Sequence, residues 1–391
     1  MITKIKKYSR DVIQSVIYFM SGFSHRNPKR IVFGSWFGTK LADNSLYFLD
    51  YLVQKKYDEN YELVWIGDEK LRQEVLERFD GKVAFCRRNA MSTFRVLLGA
   101  KYGFVSNGMS DLGTLVPNKN MSLVQLWHGF PFKRIGADMP TDPNEGNQVF
   151  DEFSYFLSTS EVMTKRLLTA FKNYGITENK LIKSGQPRDR IFYDHERSRI
   201  IKNELLEKLH IPRGAFVVSY LPTFRDSNSA SFSFRNLGSE FEEQLQHANI
   251  FIVEKPHHFR AQEYHVSSSA NIIEAPDSID TQHLLIITDL LVTDYSSVYA
   301  DFLYLNRPII HYLYDGDYYV NNDRGLYNKN VEATFGGPVI KDEKTLIDFV
   351  LNHSDKDFQD VKRNQLNSIV NQYSAQNSGE IIAEKLGLVR G

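Results

Sequence analysis

His128 combines a reactive side chain with a setting suited to chemistry. It lies in Trp127-His128-Gly129-Phe130-Pro131-Phe132-Lys133, directly after an apolar run that reads as a strand, and the glycine and proline beyond it mark a rigid turn. Open parallel sheets bind their ligands at the carboxyl ends of strands, and an imidazole, which titrates near neutrality, can take a proton there. Three further clusters share this strand-then-polar-turn form: Gly185-Gln186-Pro187-Arg188-Asp189, Tyr220-Leu221-Pro222-Thr223-Phe224-Arg225-Asp226, and Lys255-Pro256-His257-His258. Arg188 can reach an anion or pair with Asp189, and Arg225, Lys255 and one of the two adjacent histidines offer donors for phosphate oxygens. Ordinary strand-to-helix connections have the same composition, so each cluster taken alone is also compatible with a purely structural turn.

The stretch Leu285 to Leu313 carries the fifth cluster. An apolar run from Leu290 to Val292 ends in Thr293-Asp294-Tyr295-Ser296-Ser297; a helical pattern and a second apolar run, Pro308 to His311, follow. Asp294, Ser296 and Ser297 are good helix caps, and a helix starting beside them would aim unpaired backbone N–H groups at one point. Such a turn can cradle a phosphate, although a plain cap uses the same residues. The chain has neither a Walker A loop nor a GxGxxG fingerprint, and no HExxH or cysteine cluster with the spacing of a zinc site. No metal and no cofactor is expected.

Short β-rich runs alternating with helical patterns must position these turns. They lie at Ile31 to Gly34, Leu63 to Gly67, Val83 to Cys86, Phe104 to Ser106, Leu123 to Trp127, Phe156 to Thr159 and Leu181 to Ser184. After a polar helical stretch near Asp194 to Leu209 they resume at Phe216 to Leu221, Ile250 to Glu254, Asn271 to Glu274, Leu290 to Thr293 and Pro308 to Leu313. That alternation predicts an α/β chain with two Rossmann-like, doubly wound domains, residues 31–195 and 196–391. At 391 residues and 42% hydrophobic, the chain can bury two cores. Its 47 lysines and arginines against 48 acidic residues give no sign of a nucleic-acid partner. One cysteine, Cys86, excludes an internal disulfide and favours a reducing compartment.

Residues 1–30 differ from the rest. Lys4, Lys6, Lys7 and Arg10 precede Val12, Ile13, Val16, Ile17, Met20 and Phe23, which share one side of a helix, and Arg26, Lys29 and Arg30 close the segment. A basic amphipathic helix of this kind lies in an anionic membrane surface or packs its apolar stripe on its own domain. No run of 18 apolar residues and no signal peptide is visible, so the expected location is cytoplasmic, peripheral on the inner face of the cell membrane.

WHGFPFK, GQPRD, YLPTFRD, KPHH and VTDYSSVYADFLYLNRPI, in this order and at these separations, resemble the CDP-glycerol glycerophosphotransferase family of teichoic acid and capsule synthesis. The resemblance runs from Phe33-Gly34-Ser35 with Asp43-Asn44-Ser45 to Phe335-Gly336-Gly337-Pro338. It implies a GT-B architecture, two Rossmann-like domains facing across a cleft, with the CDP-activated polyol (CDP-glycerol or CDP-ribitol) held by the C-terminal domain. A membrane-linked polymer acceptor would be presented by the N-terminal one. On this resemblance His128 is the general base and His257 contacts the donor pyrophosphate. Ser296 and Ser297 form the phosphate turn, and Asp294 shapes it or reaches the polyol. Arg225 and Lys255 are partners for negative charge. Gly129, Pro131, Lys133 and Arg188 belong to the acceptor side or to structural loops. The sequence departs from the family pattern at Phe130 and Phe224, where threonine and tryptophan are common, at Pro187-Arg188-Asp189-Arg190 for PRND, and at His257-His258 for an HP pair. Fold alone does not fix the donor, so a GT-B glycosyltransferase using a nucleotide sugar and a catalytically silent polymer-binding module are the competing readings.

Overall fold

A computed structural model describes residues 2–140, 153–223, 232–255, 270–315, 325–328, 330, 334–352 and 361–391, the side chains of residues 2–11 excepted. The chain divides into two compact units, residues 1–128, 135–190 and 371–391 in the first and 129–134 and 191–370 in the second.

Seven strands form the first unit's sheet: β1 (Asn27–Gly34), β2 (Glu62–Gly67), β3 (Val83–Arg87), β4 (Ala100–Val105), β5 (Ser122–Gln125), β6 (Tyr155–Ser158) and β7 (Leu181–Lys183). They run parallel in the order β3-β2-β1-β4-β5-β6-β7. Strands covered on both faces must be apolar almost throughout, and this is why they stand out as continuous runs in the sequence. Phe33 on β1 and Phe104 on β4 stack at 5.2 Å, and Phe48 from the helix Asp43–Gln54 closes on Phe104 at 4.7 Å.

The second unit repeats the plan with β8 (Phe216–Leu221), β9 (Ile250–Glu254), β10 (Ile272–Glu274), β11 (Leu290–Thr293), β12 (Ile309–Tyr312) and β13 (Val339–Ile340), parallel and ordered β10-β9-β8-β11-β12-β13. Strand order reverses between β1 and β4 in one sheet and between β8 and β11 in the other, the points where Rossmann-like sheets open a ligand crevice. β13, two residues long, carries too little pattern to be read from sequence. Its approach explains Phe335-Gly336-Gly337-Pro338: a Cβ on Gly337 would lie 1.7 Å from the Ile309 carbonyl oxygen.

The division of the chain differs from the sequence expectation at residues 129–134 and 191–195, which belong to the second unit, and at the C-terminal end. Residues 371–391, assigned by the sequence to the second domain, return to the first unit. Tyr373 N donates to Thr159 O and Gly185 N to Ser374 O, and Gly379 of the helix Ser378–Lys385 lies so close to Tyr51 that a Cβ would meet the ring at 2.3 Å.

Candidate functional site

In the first unit the polar turns gather at the carboxyl edge of the sheet. His128, two residues beyond Leu126, is exposed, and its Nδ1 lies 2.9 Å from the Ser106 carbonyl oxygen at the end of β4. A carbonyl only accepts, so Nδ1 carries the proton and the Nε2 lone pair is left to act as a base. The backbone around it is held in unusual conformations, with Trp127 at φ +63° and Gly129 at φ +142°. The Trp127 ring lies over the imidazole at 5.0 Å.

Asn44 holds this loop from below. Its Nδ2 donates to the carbonyls of Leu126 and Trp127 and to Gln186 Oε1, and its Oδ1 accepts from the Arg188 amide. The GQPRD and DNS motifs thus meet beneath the histidine turn. Arg188 is buried, with Nη1 2.8 Å from Asp43 Oδ1 and Nε 4.0 Å from Asp189 Oδ1. Arg188 does pair with Asp189, but Asp43 is the closer partner, one that the sequence did not indicate, and Asp189 also accepts from Gln186 Nε2. Partners so distant along the chain leave no local trace in sequence, apart from the position of Asp43-Asn44 just after the loop that follows β1.

The residues after His128 belong to the second unit. Gly129, Phe130, Pro131 and Phe132 are buried, with Phe132 against Tyr299 and Phe335, and Lys133 bridges to Leu326 as an antiparallel pair. These positions are anchors of the loop.

In the second unit Asp294 is fully buried at the end of β11, and its Oδ1 accepts from Thr223 N, Thr223 Oγ1 and Ser296 N at 2.8, 2.6 and 3.1 Å. This closes the β8/β11 switch point and gives Asp294 a turn-shaping role. It also corrects one detail, because the Ser296 amide points inward to Asp294. Ser296 Oγ accepts weakly from Val298 N (3.4 Å), and Ser297 makes no side-chain cap. The helix Val298–Phe302 is only five residues long before a 3₁₀ turn, so little dipole stands behind the turn. Lys255 is largely buried; its ammonium donates to the Ile279 carbonyl, and burial pulls its pKa down, with Asp280 and Asp277 opposing. Its cation therefore braces the loop before the helix Thr281–Ile287. Arg225 and His257 lie outside the described residues.

Sequence reading passed over His311. It is buried on β12 with Nδ1 2.9 Å from the Asp294 carbonyl oxygen and its ring stacked on Phe335 at 3.8 Å. Burial pushes it down from 6.5 to about 4, although the Asp294 carbonyl favours the charged form. The folded state therefore keeps His311 neutral where the unfolded chain protonates. The stability this gives is complete above pH 6.5 and is lost as pH falls toward about 4. That window is worth about 3 kcal/mol. Followed by circular dichroism, denaturant unfolding of the second unit should lose about that much more in the parent than in His311→Phe between pH 7 and 4. Equal losses in the two proteins would assign the titration to other groups.

Two Rossmann-like sheets, each with its polar turns at the carboxyl edge, give the chain the GT-B type of fold. The chain belongs to the CDP-glycerol:poly(glycerophosphate) glycerophosphotransferase family, whose pattern matches residues 16–387, and it is an enzyme of that phosphotransferase kind. It is 28% identical to a teichoic acid poly(glycerol phosphate) polymerase of Bacillus spizizenii, covering 96% of both chains. It is 27% identical to a teichoic acid glycerol-phosphate transferase of Staphylococcus aureus, covering 88% of both. Among solved structures, the wall teichoic acid polymerase TagF superposes with a TM-score of 0.80 at 22% identity, over 99% of this chain and 95% of that one.

Proposed function

We propose that this chain transfers a polyol phosphate, most simply glycerol phosphate, from a CDP-activated donor to a hydroxyl of a membrane-linked teichoic acid type acceptor. The acceptor oxygen attacks the β-phosphorus, the pyrophosphate P–O bond breaks, CMP leaves, and the acceptor proton passes to His128. Phosphoryl transfer needs little covalent help, so positioning and charge stabilisation carry the rate. The observation that carries this reading is the His128 ring, exposed, with Nδ1 committed to the Ser106 carbonyl and Nε2 left as the base. The second unit would hold the donor at the Asp294-to-Ser297 turn, with His257 and Arg225 on its phosphates.

Incubation with an acceptor primer and CDP-glycerol, CDP-ribitol or a panel of nucleotide sugars tests the proposal through the nucleotide released. Attack at the β-phosphorus gives CMP, whereas glycosyl transfer gives a nucleoside diphosphate. Release of only the latter would replace this reading by the glycosyltransferase one.

The membrane part of the proposal rests on the helix Ile2–Ser21. Among the described residues no helix is long and apolar enough to cross a membrane. The face of this helix that meets the first unit is Gln14, which pairs with both main-chain groups of Val116, and Ser21, which receives the Lys119 amide. Arg26 then fixes the segment by donating to the carbonyls of Leu97, Ala100, Pro117 and Lys119. The apolar stripe is turned away from this contact: Val16, Met20 and Phe23 are 52, 65 and 81% exposed. An apolar, exposed stripe behind four basic residues suits an anionic bilayer surface. At roughly 1 kcal/mol per charge, neutralising Lys4, Lys6, Lys7 and Arg10 together should weaken binding to anionic liposomes by about 10³-fold. Binding should also fall with salt. Undiminished sedimentation of the four-site variant with anionic liposomes would place any membrane contact elsewhere.

A further inference from the structure

Asp111 is fully buried six residues beyond β4 and lies outside the motifs that carry the resemblance. Its Oδ2 accepts from Ser106 N at 3.0 Å and Asn107 N at 2.8 Å, and its Oδ1 from Phe37 N at 2.8 Å. The last of these holds a backbone that no ordinary loop adopts: Trp36 and Phe37, both bulky, sit at φ +45° and +56°. Burial pushes the Asp111 carboxyl up from the usual aspartate range, against the pull of the amides of Asn107, Phe37, Ser106 and Gly108.

The Asn107 N–H and the Ser106 C=O are the two ends of one peptide unit. That unit is planar and trans, so its N–H and C=O point in opposite directions. Asp111 grips the N–H end, and the C=O end accepts from His128 Nδ1. We propose that Asp111 is the positioning residue for His128, acting through this peptide. The carboxylate fixes the orientation of the carbonyl and hence the Nδ1–H tautomer of the ring. Its charge, relayed by the polarised peptide, stabilises the imidazolium that forms when Nε2 takes the acceptor proton. It is a carboxylate–histidine pair with one peptide interposed. Ser106 is held from its other side too, by the Ser45 amide and hydroxyl on its Oγ, so the peptide has little freedom to turn.

The inference rests on His128 being the base, and the test separates the two ideas. The ¹⁵N shifts of His128 in the parent protein, above the pH at which the ring is charged, should report a proton on Nδ1 and a bare Nε2. Asp111→Asn keeps the shape, loses the charge and turns an NH₂ group toward the amides. In the folded variant the proton should move toward Nε2, and turnover should fall by about 10-fold or more with the KM for CDP-glycerol within twofold of the parent. A bulk structural role for Asp111 would leave the tautomer of the folded variant unchanged. A parent ring protonated on Nε2 overturns the proposal whether or not the variant folds. So does a folded Asp111→Asn with parental tautomer or parental turnover. Loss of activity in His128→Ala alongside either result would leave the base in place and remove only its link to Asp111.

Discussion

His128→Ala is expected to lower turnover, read as CMP released from CDP-glycerol, by about 10² to 10⁴-fold while the affinity for the donor stays near that of the parent. His128 is exposed and commits Nδ1 to the Ser106 carbonyl, so Nε2 is the atom it has to offer as acceptor, in a fixed orientation. Alanine removes both the base and the Ser106 contact. His128→Asn is the informative companion, because its side-chain amide can still donate to that carbonyl while supplying no base. If proton removal is what matters, both variants lose activity alike. If the histidine chiefly holds the loop, asparagine should restore most of it. Near-normal turnover in His128→Ala would remove the residue from the mechanism. The second unit carries the donor in this reading, so a titration with CDP-glycerol should be almost unchanged in either variant.

The parallel sheets were readable because their strands are buried on both faces and so appear as unbroken apolar runs ending in turn residues. Each expected strand is present, most within a residue or two of its expected bounds, although β1 begins at Asn27 rather than Ile31. The turns were readable as positions for chemistry for the same reason. Their internal wiring was not. Asp43 and Arg188, or Asn44 and the Trp127 carbonyl, are partners more than eighty residues apart, and local pattern carries no record of which polar residues will meet. Asp111 in Gly108-Met109-Ser110-Asp111 reads as one more loop aspartate. A carboxylate shortly after a strand followed by Ser106-Asn107 was the available hint, since such residues bind their own loop's amides. The helix Ile2–Ser21 makes a complementary point. Periodicity found the apolar stripe, but the face that docks is the one bearing Gln14 and Ser21, and only the fold could distinguish them. His311 escaped because an apolar strand with one histidine looks like any other strand.

Arg188→Ala is expected to destabilise the first unit by about 3–5 kcal/mol, the cost of leaving a buried carboxylate without its cation. The side chains of Arg188 and Asp43 are 9 and 3% exposed, and the pair is 2.8 Å apart. Asp43 itself stands at φ +66°, opening the helix Asp43–Gln54 in a conformation held by its own contact to the Asn44 amide. All three tryptophans, Trp36, Trp65 and Trp127, lie in the first unit, so their fluorescence in a denaturant titration follows this unit alone. Removing both charges at once, as in Asp43→Asn with Arg188→Met, should cost less than Arg188→Ala alone, because asparagine tolerates the left-handed backbone, keeps an oxygen for the Asn44 amide and leaves no orphaned charge. Arg188→Lys keeps the charge and loses the planar fork, and should fall between. The alternative role for Arg188, a direct contact with an anionic acceptor, gives the opposite pattern. Arg188→Ala would then unfold at the parental denaturant concentration and show its defect only as a raised KM for the acceptor. Stability near the parent's in the single variant would therefore move Arg188 from the frame of the site into the site itself.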